Sequence, residues 1–241
     1  MASNRGGHKG RSRRHARAAG PAMLFDLDGT LVDAVYEHVL AWHQALQQKK
    51  IALPCWRIHR QIGLSGKSFL PMLFREIGIE RNPTEIEELE ELHLEIYMSR
   101  IERVRLLPGA RELLAHLSEI GIPWAIGSSG EPKAVEPILK LLGVPDSAPV
   151  ILAKQIERGK PNPDVFVKAA EKLKVSPSDA VVVGDSVWDL LAAQRAKALG
   201  VGLLCGGYGQ AELEAAGAYR IYSDPGDLLN HLEELGVRET D

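Results

Sequence analysis

The sequence contains few cysteines, few aromatic residues and no long apolar segment. Its 241 residues include 2 cysteines, Cys55 and Cys205, and 5% aromatic residues. Two cysteines so far apart do not have the spacing of a metal site, so we expect reduced thiols and a cytoplasmic protein. No apolar run approaches the roughly 18–20 residues that cross a membrane. No apolar segment follows the N-terminal basic residues, so a secretory signal is not expected.

Residues 1–20 differ in composition from the rest of the chain. They contain six of the 29 basic residues and no acidic residue, while the whole chain has 32 acidic residues. Such a segment cannot bury a core, and we expect a disordered basic tail. It could be a solvated extension, an electrostatic tether for nucleic acid or an organelle transit peptide. Because the tail has no aromatic residues for base stacking, nucleic acid is not the expected partner.

The body of the chain has two kinds of pattern. Residues 34–104 show helical patterns only, including a long helix predicted from Glu85 to about Arg103 and opened by a Thr84–Glu87 capping box. Residues 21–33 and 105–241 alternate short apolar runs with helical patterns. Continuous apolar strands between helices are typical of a parallel sheet covered on both faces. We therefore predict an α/β core, formed by 21–33 and 105–241, with an all-α insert at 34–104.

Polar residues follow the predicted strands at the points where the strands end. In such sheets, ligands bind beyond the carboxyl ends of the strands. Two carboxylates aimed at one volume repel each other, and Mg²⁺, which prefers carboxylate oxygens, would relieve the repulsion. The residues concerned are Asp26 and Asp28 after the first strand, Ser128 after the second, Lys160 after the third, and Asp185 with Asp189 after the fourth.

These residues lie in motifs that resemble those of the haloacid dehalogenase superfamily of phosphohydrolases. The motifs are Asp26-Leu27-Asp28-Gly29-Thr30, Ser128 after an apolar strand, Gly159-Lys160-Pro161-Asn162-Pro163, and Gly184-Asp185-Ser186-Val187-Trp188-Asp189. Their order and spacing make the resemblance specific, and it covers residues 22–235. It implies a Rossmann-like, doubly wound parallel sheet with a small helical cap inserted after the first motif.

The resemblance also implies a role for each motif residue. Asp26 would attack phosphorus and become an aspartyl phosphate, and Asp28 would be the general acid and then the general base. Ser128 would donate a hydrogen bond to the phosphoryl oxygens, and Lys160 would pair with the phosphoryl group and with Asp26. The metal ligands for Mg²⁺ would come from the four aspartates: Asp26, Asp28 with its main-chain carbonyl, Asp185 and Asp189.

The insert gives weaker signals. We expect substrate contacts from Arg60, from Lys67 in a glycine-rich loop, and from Ser129 beside Ser128, whereas His38 is expected on a helix surface. Cap closure over the site would exclude water and select the leaving group.

Several functions remain open at this point. The first is a Mg²⁺-dependent phosphatase acting on a small phosphorylated metabolite, such as phosphoglycolate or a sugar phosphate, in a monomer or homodimer. A phosphomutase of the β-phosphoglucomutase type would share all these residues. Asp28 argues against a dehalogenase, and no lysine of the insert stands out as the Schiff-base lysine of a phosphonatase. A non-catalytic protein tethered to nucleic acid by its tail is the alternative from another class.

Overall fold

A six-stranded parallel sheet forms the centre of the molecule. The computed structural model describes residues 20–64 and 66–238, without the side chain of Lys67. The sheet order is β5-β4-β1-β6-β7-β8. Its strands are β1 (Ala22–Phe25), β4 (Trp124–Gly127), β5 (Val150–Ile151), β6 (Ala180–Gly184), β7 (Leu199–Leu203) and β8 (Arg220–Tyr222). The predicted α/β fold with a doubly wound parallel sheet is confirmed, and the predicted tail, apart from Gly20, lies outside the described residues.

The central strand β1 is buried on both faces because its alternate residues enter two different cores. Met23 and Phe25 pack into the core on one face, and Ala22 and Leu24 pack into the core on the other. Helices cover both faces, which explains why the strands read as continuous apolar runs. The covering helices are α5 (Ala110–Ile120), α6 (Pro132–Leu142), α7 (Asp164–Leu173), α8 (Val187–Ala196), α9 (Gln210–Ala215) and α10 (Pro225–Leu229).

In the described part of the chain, four helices lie between β1 and the return of the chain to the sheet. We call this segment the helical insert; it comprises α1 (Val35–Gln48), α2 (Cys55–His59), α3 (Gly66–Ile77) and α4 (Pro83–Met98). A two-stranded antiparallel ribbon joins its ends, formed by β2 (Val32–Asp33) and β3 (Arg105–Leu106). The ribbon was not predicted, because two residues are too few to show a strand period.

Helix α4 begins and ends earlier than its sequence pattern predicts. The capping box is formed by Asn82 and Glu85, whose side chains each accept a hydrogen bond from the other residue's backbone N–H at 3.0 and 3.1 Å. Pro83 suits the first helical position because its φ is fixed and it lacks an N–H. The predicted Thr84–Glu87 box is therefore wrong. The helix ends at Met98, and Ile101–Arg103 form a separate 3₁₀ turn.

No helix in the described part of the chain is both long and apolar enough to cross a membrane.

Candidate active site

The carboxyl ends of the strands meet at a cavity of about 900 Å³ between the sheet and the helical insert. Asp26 follows β1 directly, and its N–H donates to the Val183 carbonyl at 2.9 Å, which continues the pairing with β6. Asp28 lies in the turn that follows. Both aspartates line the cavity, as the Asp-Leu-Asp spacing predicted.

Lys160 lies fully buried beneath this cavity, between two carboxylates. Its Nζ lies 2.5 Å from Asp26 Oδ1 and 2.7 Å from Asp189 Oδ1. Burial alone would lower the pKa of Lys160, but the charges of Asp189 and Asp26 outweigh burial and hold the pKa above its ordinary value. Lys160 is therefore a permanent cation at the base of the site.

Unlike Lys160, Asp26 is disfavoured in its charged form. Burial raises the pKa of its carboxyl to about 7, although the charge of Lys160 acts to lower it, and the charges of Asp189 and Asp28 raise it further. The folded protein therefore disfavours the ionised form of Asp26 unless a further positive charge lies nearby.

Asp185 is enclosed by backbone and by one hydroxyl. Its Oδ1 accepts a hydrogen bond from Thr30 Oγ1 at 2.9 Å. A Cβ added to Gly29 or Gly206 would lie 2.4 or 1.8 Å from Asp185 Oδ2, so only glycine allows the backbone to approach this carboxylate so closely. Burial, followed by the charges of Asp189 and Asp26, raises the pKa of Asp185 well above its ordinary value.

Asp189 is fully buried and has partners at both oxygens. Its Oδ2 accepts hydrogen bonds from the Ser186 N–H at 3.2 Å and from Ser186 Oγ at 2.5 Å, in the capping box that begins α8. Its Oδ1 pairs with Lys160. This arrangement favours a role for Asp189 in holding Lys160.

Three of the four aspartates form a cluster with the composition of a divalent cation site. Asp26, Asp185 and Asp189 are all buried, and one oxygen from each lies within 4.8 Å of the others. One lysine faces three carboxylates, which leaves an excess of negative charge. Hard oxygen donors are the ligands that Mg²⁺ prefers, so the residues fit this metal.

The two neighbouring serines occupy different environments. Ser128 is fully buried, and its Oγ accepts a hydrogen bond from the Gly130 N–H at 3.0 Å. Ser129 lines the cavity, and its Oγ lies 3.5 Å from the Gly63 carbonyl of the helical insert. Ser129 is thus exposed to the cavity, whereas Ser128 is not among the residues that line it.

The predicted substrate contacts from the helical insert are placed differently. The guanidinium of Arg60 pairs with Glu212 of α9 and stacks over the Tyr208 ring at 4.8 Å. Arg60 is not among the residues that line the cavity, so its observed role is to connect the insert to the core. The prediction for Lys67 concerns a side chain outside the described ones.

Sequence reasoning missed the residues of the insert that do face the cavity. His38 Nε2 lies 3.8 Å from Asp28 Oδ1, so His38 is not simply a surface residue of α1. His38 Nδ1 lies 3.2 Å from His93 Nε2 of α4, and the His93 ring stacks on Trp42. The spacing of His38 and Trp42, four residues apart on one helix face, was the available signal.

The haloacid dehalogenase-like hydrolase family model matches residues 21–197, which include the site residues Asp26, Asp28, Ser128, Lys160, Asp185 and Asp189. The chain belongs to this family. It is 32% identical over 179 residues to hexitol phosphatase A of Escherichia coli (strain K12), with 72% of this chain and 78% of that protein covered. It is 30% identical over 226 residues to β-phosphoglucomutase of Bacillus subtilis (strain 168), with 91% and 98% covered.

A solved hydrolase structure is also similar to this chain. The crystal structure of a hydrolase from Pseudomonas syringae is 44% identical and has a TM-score of 0.87, with 89% of this chain and 99% of that chain covered. The family resemblance predicted from the motifs is therefore confirmed.

We expect Mg²⁺ to stabilise the protein more at about pH 8 than at about pH 5.5. Because the pKa of Asp26 rises from 3.8 to about 7 on folding, the folded protein binds more protons than the unfolded chain between these values. The metal-free protein therefore loses stability as the pH rises through this window. Mg²⁺ needs ionised carboxylates, and at 100 times its dissociation constant it would add about 2.7 kcal/mol. Melting curves with MgCl₂ or with a chelator at both pH values measure the difference.

The Asp185→Asn variant is the control for this experiment, because it removes one carboxylate of the cluster at nearly constant volume. It should lose most of the Mg²⁺-dependent rise in melting temperature. An equal rise at both pH values, or an undiminished rise in Asp185→Asn, would contradict the assignment of the cluster.

Proposed function

We propose that this protein is a Mg²⁺-dependent phosphatase that hydrolyses a small phosphate monoester through an aspartyl phosphate on Asp26. The observation that carries the proposal is the buried contact of 2.5 Å between Lys160 Nζ and Asp26 Oδ1 at the base of the cavity. Lys160 holds the Asp26 carboxylate in one orientation. It also offsets the negative charge of Asp26, which would otherwise repel an anionic phosphate.

In the first step, an Asp26 oxygen attacks phosphorus, a new P–O bond forms, and the P–O bond to the alcohol breaks. Asp28 donates a proton to the departing alkoxide. Its Oδ1 has no hydrogen-bond partner among the described residues, and His38 Nε2, at 3.8 Å, is too far away to form one. In the second step, Asp28 takes a proton from water, the water oxygen attacks phosphorus, and Asp26 is released as a carboxylate.

The Mg²⁺ ion would be held by the carboxylates of Asp26 and Asp185 and by the main-chain carbonyl of Asp28, and when bound it would neutralise phosphoryl charge. Asp189 would act through Lys160, to which its Oδ1 is paired at 2.7 Å. Ser128 would orient the phosphate-binding turn, and Ser129 would contact the substrate.

The helical insert would be the cap of this enzyme, with residues 34–104 as the cap and residues 21–33 and 105–241 as the catalytic core. The backbone carbonyl of Arg60 accepts hydrogen bonds from Trp188 Nε1 at 3.1 Å and from Tyr208 Oη at 2.9 Å. These contacts hold the insert against the core. They support a closed state in which bulk water is excluded during phosphoryl transfer.

A phosphomutase is the second candidate. It is favoured by the β-phosphoglucomutase relative, of which 98% is covered by the match, including the helical insert. The same Asp26 and Asp28 would serve both reactions, which differ in whether water or a sugar hydroxyl takes the phosphoryl group. In either case the partner would be a small phosphorylated metabolite. We propose a cytoplasmic location, which agrees with the two free cysteines. We also propose that the protein is a monomer or homodimer.

The proposal is tested by measuring phosphate release from a panel of phosphate esters, with MgCl₂ or with a chelator. A phosphatase releases phosphate in a Mg²⁺-dependent manner without any priming compound. A mutase converts glucose 1-phosphate into glucose 6-phosphate when primed with a sugar bisphosphate, and releases little phosphate. Absence of both activities would reject the proposal.

Replacement of Asp28 should lower the rate of enzyme phosphorylation most for esters with a poor leaving group. We expect Asp28→Asn to lower kcat on an alkyl phosphate by about 10²–10⁴, because the alkoxide must then leave without a proton. 4-Nitrophenyl phosphate needs less help in this step, so its rate of enzyme phosphorylation should fall much less. Rapid-quench measurements of that rate for both esters give the comparison, and an equal loss would contradict the role of Asp28.

A further inference from the structure

The cavity above Asp26 is larger than a two-carbon acid requires. Its volume is about 900 Å³, near the upper end of the roughly 300–1,000 Å³ found for small-molecule sites. A ligand such as phosphoglycolate would touch the phosphate-binding residues and leave most of the cavity wall uncontacted. The volume therefore favours a leaving group about the size of a ring.

The wall contributed by the helical insert is aromatic. We call it the aromatic wall and define it by His38, Trp42, Phe69 and His93. The ring centroids of Trp42 and His93 are 3.9 Å apart with the planes nearly parallel, and those of Trp42 and Phe69 are 4.5 Å apart. Leu94 continues this surface along α4. The stacked rings therefore offer the cavity an apolar contact surface that suits a ring-sized group.

The aromatic wall contains no lysine or arginine. Burial, followed by the charge of His38, lowers the pKa of His93 well below its ordinary value, so His93 is neutral at neutral pH. Of the described side chains that line the cavity from α1, α3 and α4, none is Lys or Arg. Among the described side chains, a carboxylate on the leaving group would therefore meet no lysine or arginine on this side of the cavity.

The charged rim of the cavity is acidic. On the core side, Lys133 and Lys154 are matched by Glu131 and Glu157. On the insert side, Glu87 and Glu91 lie one turn apart on α4, and the described lining side chains from α1, α3 and α4 include no lysine or arginine. The rim would repel a leaving group with a negative charge and attract one with a positive charge.

We infer that the alcohol released by this enzyme is a ring-sized group that is uncharged or positively charged, and that esters whose leaving group carries a carboxylate are poor substrates. This inference rests on the proposed phosphatase function. It selects between the two substrate classes left open by the motifs, because phosphoglycolate belongs to the disfavoured class and sugar phosphates belong to the favoured one.

The test compares kcat/KM for phosphoglycolate, glucose 6-phosphate and glucosamine 6-phosphate in the presence of MgCl₂. We expect glucose 6-phosphate to exceed phosphoglycolate by at least about tenfold, as one good contact surface can provide. Glucosamine 6-phosphate, which differs by one ammonium group, should be at least as good as glucose 6-phosphate. Phosphoglycolate equal to or better than both sugar esters would overturn the inference.

Variants test the charge of the rim and the contact surface of the wall separately. The Glu87→Gln/Glu91→Gln double variant should raise the phosphoglycolate to glucose 6-phosphate ratio of kcat/KM by about three- to fivefold at low salt, and less at high salt. Glu95→Gln, on the same helix but outside the cavity lining, is the matched control and should leave the ratio unchanged. An unchanged ratio in the double variant would overturn the charge argument.

Leu94→Ala tests the wall at a half-buried position that is less costly to truncate than the stacked rings. It should lower the ratio of kcat/KM for glucose 6-phosphate to that for acetyl phosphate by about tenfold, and an unchanged ratio would overturn the role of the wall.

Failure of the proposed function is distinguishable, because 4-nitrophenyl phosphate would then show no Asp26-dependent hydrolysis. Hydrolysis of that ester with neither sugar ester accepted would overturn the inference alone.

Discussion

Asp26→Asn should lose phosphatase activity by about 10⁴–10⁶ in kcat, the loss typical of removing a covalent nucleophile. The amide oxygen of Asn is a poor nucleophile. The side-chain volume hardly changes, and Lys160 keeps its contact of 2.7 Å with Asp189. The variant should therefore fold.

The stability of Asp26→Asn separates a chemical loss from a structural one. Burial raises the pKa of the Asp26 carboxyl to about 7, so ionised Asp26 disfavours the metal-free folded state above that pH. Asn carries no charge, and at about pH 8 without Mg²⁺ the variant should melt no lower than the wild type. Asp146→Asn, in an exposed turn, is the matched control for activity. Retention of full activity by Asp26→Asn would contradict the mechanism.

Lys160→Met should destabilise the metal-free protein by about 3–5 kcal/mol, because removing one member of a buried ion pair leaves its partners uncompensated. Met preserves most of the volume of the fully buried lysine, which packs with its Nζ 5.1 Å from the centre of the Phe166 ring. The loss is therefore electrostatic, and it should shrink when Mg²⁺ is added or when the pH is lowered enough to protonate the carboxylates. Urea unfolding under these conditions measures it.

The control for this prediction is Lys172→Met, which removes an exposed lysine of α7 and should change the free energy of unfolding by less than about 0.5 kcal/mol. A loss below about 1 kcal/mol for Lys160→Met, or a loss that Mg²⁺ does not reduce, would show that Lys160 does not compensate the aspartate cluster.

The sequence predicted the sheet and the position of the site because both depend on local patterns. Apolar runs that end in polar turns identify buried strands, and parallel strands bring their carboxyl ends to one edge. Asp26, Asp28 and Lys160 are found together at that edge for this reason. The family resemblance added roles that no local pattern provides.

The sequence did not predict contacts between distant parts of the chain. Thr30 and Asp185 are hydrogen-bonded although 155 residues separate them, and the approach of Gly206 to Asp185 depends on the loop after β7. The sequence predicts His38 on a helix surface because it does not show that α4 packs beside this residue. The Asn82 cap was missed because Thr84 and Glu87 offer a competing capping pattern two residues later.

The most direct test of the account is a rapid-quench experiment on the enzyme with Mg²⁺ and its best ester, followed by mass spectrometry of the proteolytic peptides. The account predicts that one phosphoryl group appears on the peptide containing Asp26 within a single turnover, disappears as phosphate is released, and is absent from Asp26→Asn. Phosphate release without any phosphorylated peptide, or phosphorylation at another residue that persists in Asp26→Asn, would contradict it.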